Sequence, residues 1–148
     1  MRSSAGILLH RPAPSGVEVF IAHMGGPFWA GKHERAWSIP KGETDGDTDL
    51  LGVALREFAE EIGVPAPALD YRELGTFRYS SGKVVTVFAA EAPGFEIDEV
   101  RSNTFQLEWP PRSGRMRAFP EVDAARWVPL EEARRLLVAG QVPALELL

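Results

Sequence analysis

Residues 56–64 read Arg-Glu-Phe-Ala-Glu-Glu-Ile-Gly-Val, and no other run restricts the chain as much. Wound into a helix, Glu57, Glu60 and Glu61 stand at i, i+3 and i+4, so three carboxylates share one flank within about a turn. Like charges set that way repel by about 0.2–0.5 kcal/mol per pair even when exposed. A helix kept only for stability would place Lys or Arg among them. A hard divalent cation such as Mg²⁺ or Mn²⁺ reverses the sign, because it needs converging oxygen ligands. The run reads as a metal site, with a solvated acidic face as the plain alternative.

The helix itself is expected from about Asp49 to Ile62, with Thr48 or Asp49 as its N-cap. Gly63 stops it, and Pro65 and Pro67 follow. At about 100° per residue, Leu51, Ala54, Leu55, Phe58 and Ile62 form one apolar stripe. Glu57, Glu60 and Glu61 lie about a third of a turn away. Such a helix buries one side while its carboxylates line an adjoining cleft, and Arg56 falls on the far flank of the acidic row.

Strands are expected on both sides of this helix. Ala5–His10 and Val17–Met24 are apolar runs joined by a turn-rich connector at residues 11–16, which predicts an antiparallel pair. Residues 25–32 form a glycine-rich loop carrying Phe28 and Trp29, readable as a hydrophobic plug or as a base-stacking lid. Ala36–Ile39 reads as a short strand ended by Pro40, and residues 42–49 as a polar loop. Beyond the helix, Tyr71–Tyr79, Lys83–Glu91, Thr104–Trp109 and Ala125–Val128 have strand character, with a hairpin turn at Ser80-Ser81-Gly82. A closing helix starts at Pro129, with Leu130, Ala133, Leu136 and Leu137 inward. This order predicts one mixed α/β domain over residues 1–148, a central sheet with helices on both faces.

Composition excludes several function classes. The chain has no cysteine, so disulfides, zinc–thiolate sites, iron–sulfur clusters and a thiol nucleophile are ruled out. Its three histidines are scattered and do not suggest a histidine metal site. The net charge of −5 speaks against broad nucleic-acid or anionic-membrane binding, which call for basic surface. A phosphate-bearing small molecule stays open, since bound metal can bridge acid to anion. The opening apolar run is too short for a signal peptide and no stretch approaches a membrane span; the expectation is a cytoplasmic protein.

Gly42, followed after a fixed gap by residues 56–64, resembles the Nudix box, here residues 42–64. One position departs, with Thr48 between Asp47 and Asp49 where the pattern has its first Glu. The strand order also resembles a Nudix domain, and Trp-Ser-Ile-Pro-Lys-Gly-Glu at residues 37–43 with Phe-Pro-Glu-Val-Asp at 119–123 resembles a bacterial subgroup of nucleotide pyrophosphohydrolases. The resemblance implies an α/β/α sandwich and Mg²⁺- or Mn²⁺-dependent hydrolysis of a diphosphate linkage in a nucleoside diphosphate derivative.

It also implies roles. Glu57, Glu60 and Glu61 become metal ligands, one of them able to double as general base, and Arg56 holds a box glutamate through a bidentate pair. Glu121, with Asp123 behind it, becomes the additional metal-binding or basic carboxylate outside the box; an ordinary loop acid is the alternative. Lys41 and Gly42 fall on the substrate side. In the basic segment 109–117, Arg112 and Arg115 are candidates to grip phosphates, or belong to a solvated loop. Thr48 leaves a ligand lost or supplied by a neighbouring Asp. It is also the feature favouring a catalytically silent nucleotide sensor. The expected partner is a nucleotide-type small molecule, with RNA disfavoured, no membrane, and a homodimer allowed.

Overall fold

Alternation along the first strand sets the architecture. In β1 (Ser3–Ala13), Ala5, Ile7 and Leu9 pack in one core and Leu8 in the other; in β2 (Gly16–Met24), Phe20 and Ala22 oppose Val19 and Ile21. Period-two burial on both sides requires cover on both faces of the sheet. The computed structural model describes residues 2–148 and supplies that cover. α1 (Leu50–Ile62) lies over one face, and α2 (Leu130–Leu136) with α3 (Val142–Leu145) over the other. The expected sandwich, a mixed sheet with helices on both faces, is the observed fold.

The feature that positions the site is a split between β1 and β2. They pair antiparallel only over His10–Ala13 against Gly16–Val19 and then diverge. The opening is filled by the chain from Ala36 to Glu43. There β3 (Trp37–Ser38) pairs with β2, and β4 (Lys41–Glu43) pairs antiparallel with Ser4–Gly6 of β1. Two further main-chain bonds pin it, Ile7 N–H to Pro40 O at 3.0 Å and Met24 N–H to Ala36 O at 3.1 Å. Strand β4 lies where a polar loop is expected from sequence; too short to show alternation, it exists because β1 offers it an open edge.

β5 (Arg72–Arg78) and β6 (Val84–Glu91) extend the sheet, β6 running parallel to β1. β7 (Thr104–Glu108) and β8 (Met116–Pro120) form a separate two-stranded arm. β9 (Val122–Pro129) returns to the main sheet against β2. Strand β8 and the start of β9 are not among the strands expected from sequence, which pass from Thr104–Trp109 directly to Ala125–Val128. The tip of the arm is ordered by Glu108, whose carboxylate accepts the N–H groups of Arg112 and Gly114 at 3.0 and 3.2 Å.

Helix α1 keeps its expected ends. Asp49 caps it by accepting the Gly52 N–H at 3.0 Å, and Gly63 closes it in the left-handed region. The buried stripe is Val53, Ala54, Phe58 and Ile62, with Leu51 and Leu55 half-buried. It is rotated slightly from the expected stripe toward Val53. Because the Asp49 carboxylate satisfies an otherwise unpaired helix donor, Asp49→Ala should lower the unfolding free energy by about 1 kcal/mol. Urea denaturation with an unchanged m-value measures it.

Candidate active site

α1 crosses over the filled split, and that crossing brings its acids to β4. A cleft of about 340 Å³ opens there, lined by Lys41, Gly42, Glu57, Glu61, Asn103 and Glu121, with Arg2, Tyr79 and Lys83 at its sides. Glu57 reaches it because position 42 has no side chain: a Cβ on Gly42 would overlap the Glu57 carboxyl group. Glu61 lies deeper, and its Oε1 accepts the Lys41 N–H at 3.2 Å. Glu121 arrives from the junction of β8 and β9. That junction is pinned by Glu121 N–H to Asn103 O at 2.9 Å, while Gly25 N–H donates to Glu121 O at 2.9 Å. Glu57, Glu61 and Glu121 therefore meet from two distant parts of the chain.

The expected row divides at Glu60. One residue is about 100° of helix, so a cleft facing Glu57 and Glu61 leaves Glu60 turned outward; it is exposed and does not line the cavity. Its carbonyl does fix the floor, accepting the Asn103 N–H at 2.8 Å. Arg56 is about half exposed and makes a single 3.6 Å contact with Glu57, in place of the expected bidentate pair. Arg112 and Arg115 are at the arm's tip, roughly 14 Å along the strands from its base, and do not line the cleft. Asp47 accepts the Asp49 N–H while Asp49 caps the helix, and neither of these neighbours of Thr48 lines the cleft. Sequence reasoning missed Asn103, Tyr79, Lys83 and Arg2, which carry no local signal and meet only through the fold. A hollow of about 500 Å³ beside Gly63 is larger, but its lining of Glu96, Asp98, Glu99 and Arg101 is exposed loop without converging groups.

The electrostatics are those of acids held together against their preference. Burial pushes the Glu61 carboxyl up to about 7. The charges of Glu121 and Glu57 add to this, and Lys41 offsets only part of it. Burial also raises Glu57, Glu60 pushes the same way, and Arg56 pulls back. The donor set is all oxygen, which fits a hard divalent cation rather than a thiophilic one. Among the described residues, no three acidic or histidine side chains are grouped closely enough to hold a metal ion by themselves. The fit rests on donor chemistry and on the uncompensated burial of Glu61, which a cation would relieve.

A carboxyl whose folded value of about 7 exceeds its ordinary 4.5 binds its proton more tightly when folded. It costs nothing below about pH 4, costs more as pH rises through that interval, and costs the full amount above it. Glu61→Gln keeps the acceptor for Lys41 and removes the charge. It should raise metal-free stability at pH 8 by up to about 3 kcal/mol, with the gain fading as pH falls toward 4.5. Thermal melts across pH in EDTA read this directly.

Comparison with known proteins gives the arrangement its relatives. The NUDIX domain description matches residues 2–148. A protein of Caulobacter vibrioides named RNA pyrophosphohydrolase is 30% identical over 136 residues, spanning 87% of this chain and 77% of that one. The asymmetrical bis(5′-nucleosyl)-tetraphosphatase of Mus musculus is 30% identical over 105 residues, spanning 68% and 60%. Among solved structures, a C. elegans Ap4A hydrolase binary complex superposes with a TM-score of 0.67 at 22% identity, over 99% of this chain and 94% of that one, which supports the fold alone. Nudix hydrolases generally need divalent metal, usually Mg²⁺. No helix among the described residues is long and apolar enough to cross a membrane. The chain belongs to the Nudix family, and as an enzyme it is a hydrolase of pyrophosphate bonds.

Proposed function

We propose that this protein hydrolyses the diphosphate linkage of a nucleoside diphosphate derivative in a Mg²⁺- or Mn²⁺-dependent reaction. The observation that carries the reading is the meeting of Glu57, Glu61 and Glu121 in one cleft whose sides also carry Lys41, Lys83 and Arg2. Oxygen ligands and cations in one cavity suit a substrate that is itself an anion bound through metal. The names of two relatives, an RNA pyrophosphohydrolase and a bis(5′-nucleosyl)-tetraphosphatase, support a nucleotide substrate.

Glu57 and Glu61 would hold the cation, while Glu60, expected from the sequence among the ligands, is exposed and does not line the cleft. The bound cation supplies charge neutralisation and Lewis acidity at the diphosphate. Lys41 and Lys83 hold phosphate oxygens at the cleft sides. Glu121, outside the helix, takes the proton of the attacking water as that oxygen bonds to phosphorus and the bridging P–O bond breaks. The products are two phosphate-bearing fragments. Arg56 restrains Glu57 from the solvent side. The net negative charge disfavours a long RNA strand over a small nucleotide.

Chromatographic separation of the phosphate-bearing products formed with Mg²⁺ from nucleoside triphosphates, dinucleoside polyphosphates, nucleotide sugars and 5′-triphosphorylated RNA tests the reading. Turnover of at least one small nucleotide is expected. Tight binding of nucleotide without turnover would make the chain a sensor instead. Glu57→Gln and Glu61→Gln should each lower kcat at least about tenfold at saturating Mg²⁺. Glu121→Gln should lower kcat as much while leaving Mn²⁺ affinity unchanged; loss of affinity would move it among the ligands.

Gly42→Ala probes the placement of Glu57. An added methyl group displaces that carboxylate without straining the backbone, since residue 42 is not among the positive-φ glycines. Mn²⁺ affinity should fall at least about threefold with the melting temperature nearly unchanged. Unaltered affinity would detach Glu57 from the cation.

A further inference from the structure

A buried glutamine on the face opposite α1 is bonded to a residue of the acidic cleft. Gln141 closes the turn Ala139–Gln141 that leads into α3, and its side chain is fully buried. The side-chain oxygen accepts the Ile39 N–H at 2.9 Å. A main-chain N–H can only donate, so that bond fixes which end of the amide is oxygen. Both hydrogens of Nε2 are then committed, to Ser38 Oγ and to Tyr79 Oη, each at 2.8 Å. The Ser38 hydroxyl passes its own hydrogen to Ile39 O at 2.7 Å. Donor and acceptor roles in this network are thereby assigned, and towards Gln141 the Tyr79 hydroxyl can only accept.

Tyr79 lines the cleft together with Lys83. Its backbone is held by the β5–β6 hairpin, with the Tyr79 N–H donating to Lys83 O at 2.8 Å and the Gly82 N–H donating to Tyr79 O at 2.9 Å. Its ring lies against the bare α-carbon of Gly140, where a Cβ would overlap it. Gln141 holds the hydroxyl oxygen. A phenol both donates and accepts. Its accepting side is taken by Gln141, and among the described residues its hydrogen meets no acceptor. A hydroxyl fixed in place with its hydrogen unspent, on a cleft wall shared with Lys41 and Lys83, suits the oxygen of an anion.

We infer that Tyr79 donates its hydroxyl hydrogen to a non-bridging phosphate oxygen of the substrate, and that Gln141 is the positioning residue that keeps the hydroxyl in that role. The inference rests on the reading of the cleft as the hydrolytic site and adds a neutral donor to the cationic ones named there. Neutrality matters beside Glu57 and Glu61. A further ammonium group would be drawn to those carboxylates, whereas a phenol leaves their charge for the cation. The bond itself is of the stronger kind, because its acceptor carries charge. Gln141 touches no substrate. It acts by occupying the Tyr79 oxygen with a donor, which leaves the hydrogen to be spent on the cleft side.

The test titrates α,β-methylene-ADP, whose bridging carbon resists hydrolysis, calorimetrically into the protein with Mg²⁺ present. Tyr79→Phe keeps the ring and should weaken binding at least about fivefold. Gln141→Met removes the amide, and Gln141→Glu keeps the acceptor for Ile39 while replacing the Nε2 donor with an oxygen. Each should weaken binding as well, and neither should add to Tyr79→Phe in a double variant, because all three changes act on one hydrogen. Mn²⁺ affinity without nucleotide should not move in Tyr79→Phe, a separation that general damage to the cleft would not give. Wild-type affinity for α,β-methylene-ADP in Tyr79→Phe would overturn the donor role, whatever happens to the melting temperature. Additive losses in both double variants would overturn the positioning role of Gln141. A matching loss of Mn²⁺ affinity in Tyr79→Phe would make the tyrosine a support of the acidic wall and overturn the inference. Those failures leave the hydrolase reading standing, because turnover and its dependence on Glu61 are scored separately.

Discussion

The structure turns on a sheet that opens. Strands β1 and β2 part after a few residue pairs, and the segment from Ala36 to Glu43 completes the hydrogen bonding of both. Without that insertion, two strand edges would lie unpaired inside the domain, a cost that backbone groups rarely bear when buried. The insertion also delivers the Lys41 N–H to Glu61 and the bare α-carbon of Gly42 to Glu57. One local solution to a backbone problem thus fixes two acids of the cleft. The third, Glu121, is tied to the same place through Gly25 at the end of β2.

The acids are held where they are not stable alone. Burial and mutual repulsion raise Glu61 to about 7, a destabilising arrangement in the metal-free protein. The two cores of the sandwich tolerate it. Phe58 and Ile62, on the same helix as Glu57 and Glu61, are fully buried against β1 and β2. The apolar face of α1 therefore anchors the helix, and its acidic flank is carried along. Electrostatic strain concentrated in one cleft of an otherwise well-packed fold is a common mark of a functional site.

Much of this was legible from residues 49–64, because a helix announces itself by period and caps. Asp49 and Gly63 mark its ends in sequence as in structure. The acidic row was also legible, but not its aim. Sequence spacing puts Glu57, Glu60 and Glu61 on one flank, whereas which part of that flank meets a cavity depends on β4, a strand too short to leave a pattern. Glu60 faces outward for that reason. The arm formed by β7 and β8 was half legible: Thr104–Glu108 alternates, while Met116–Pro120 follows a segment rich in Arg, Gly and Pro that reads as loop. Asn103, Tyr79 and Lys83 come together only through tertiary contacts, so nothing local marks them. Phe28 and Trp29, one question in the sequence, part company in the structure. Phe28 is 58% exposed against Trp109, and Trp29 turns inward toward the cleft.

The central claim is that the carboxylates of Glu57 and Glu61 are held, at a cost, to receive a divalent cation. The most direct measurement is the melting temperature of the wild type and of a Glu57→Gln/Glu61→Gln double variant, with and without Mn²⁺. A cation that binds only the folded state must raise the melting temperature as its concentration rises. The account predicts a concentration-dependent rise for the wild type and none for the double variant. Equal rises in both, or no rise in either at millimolar Mn²⁺, would contradict it.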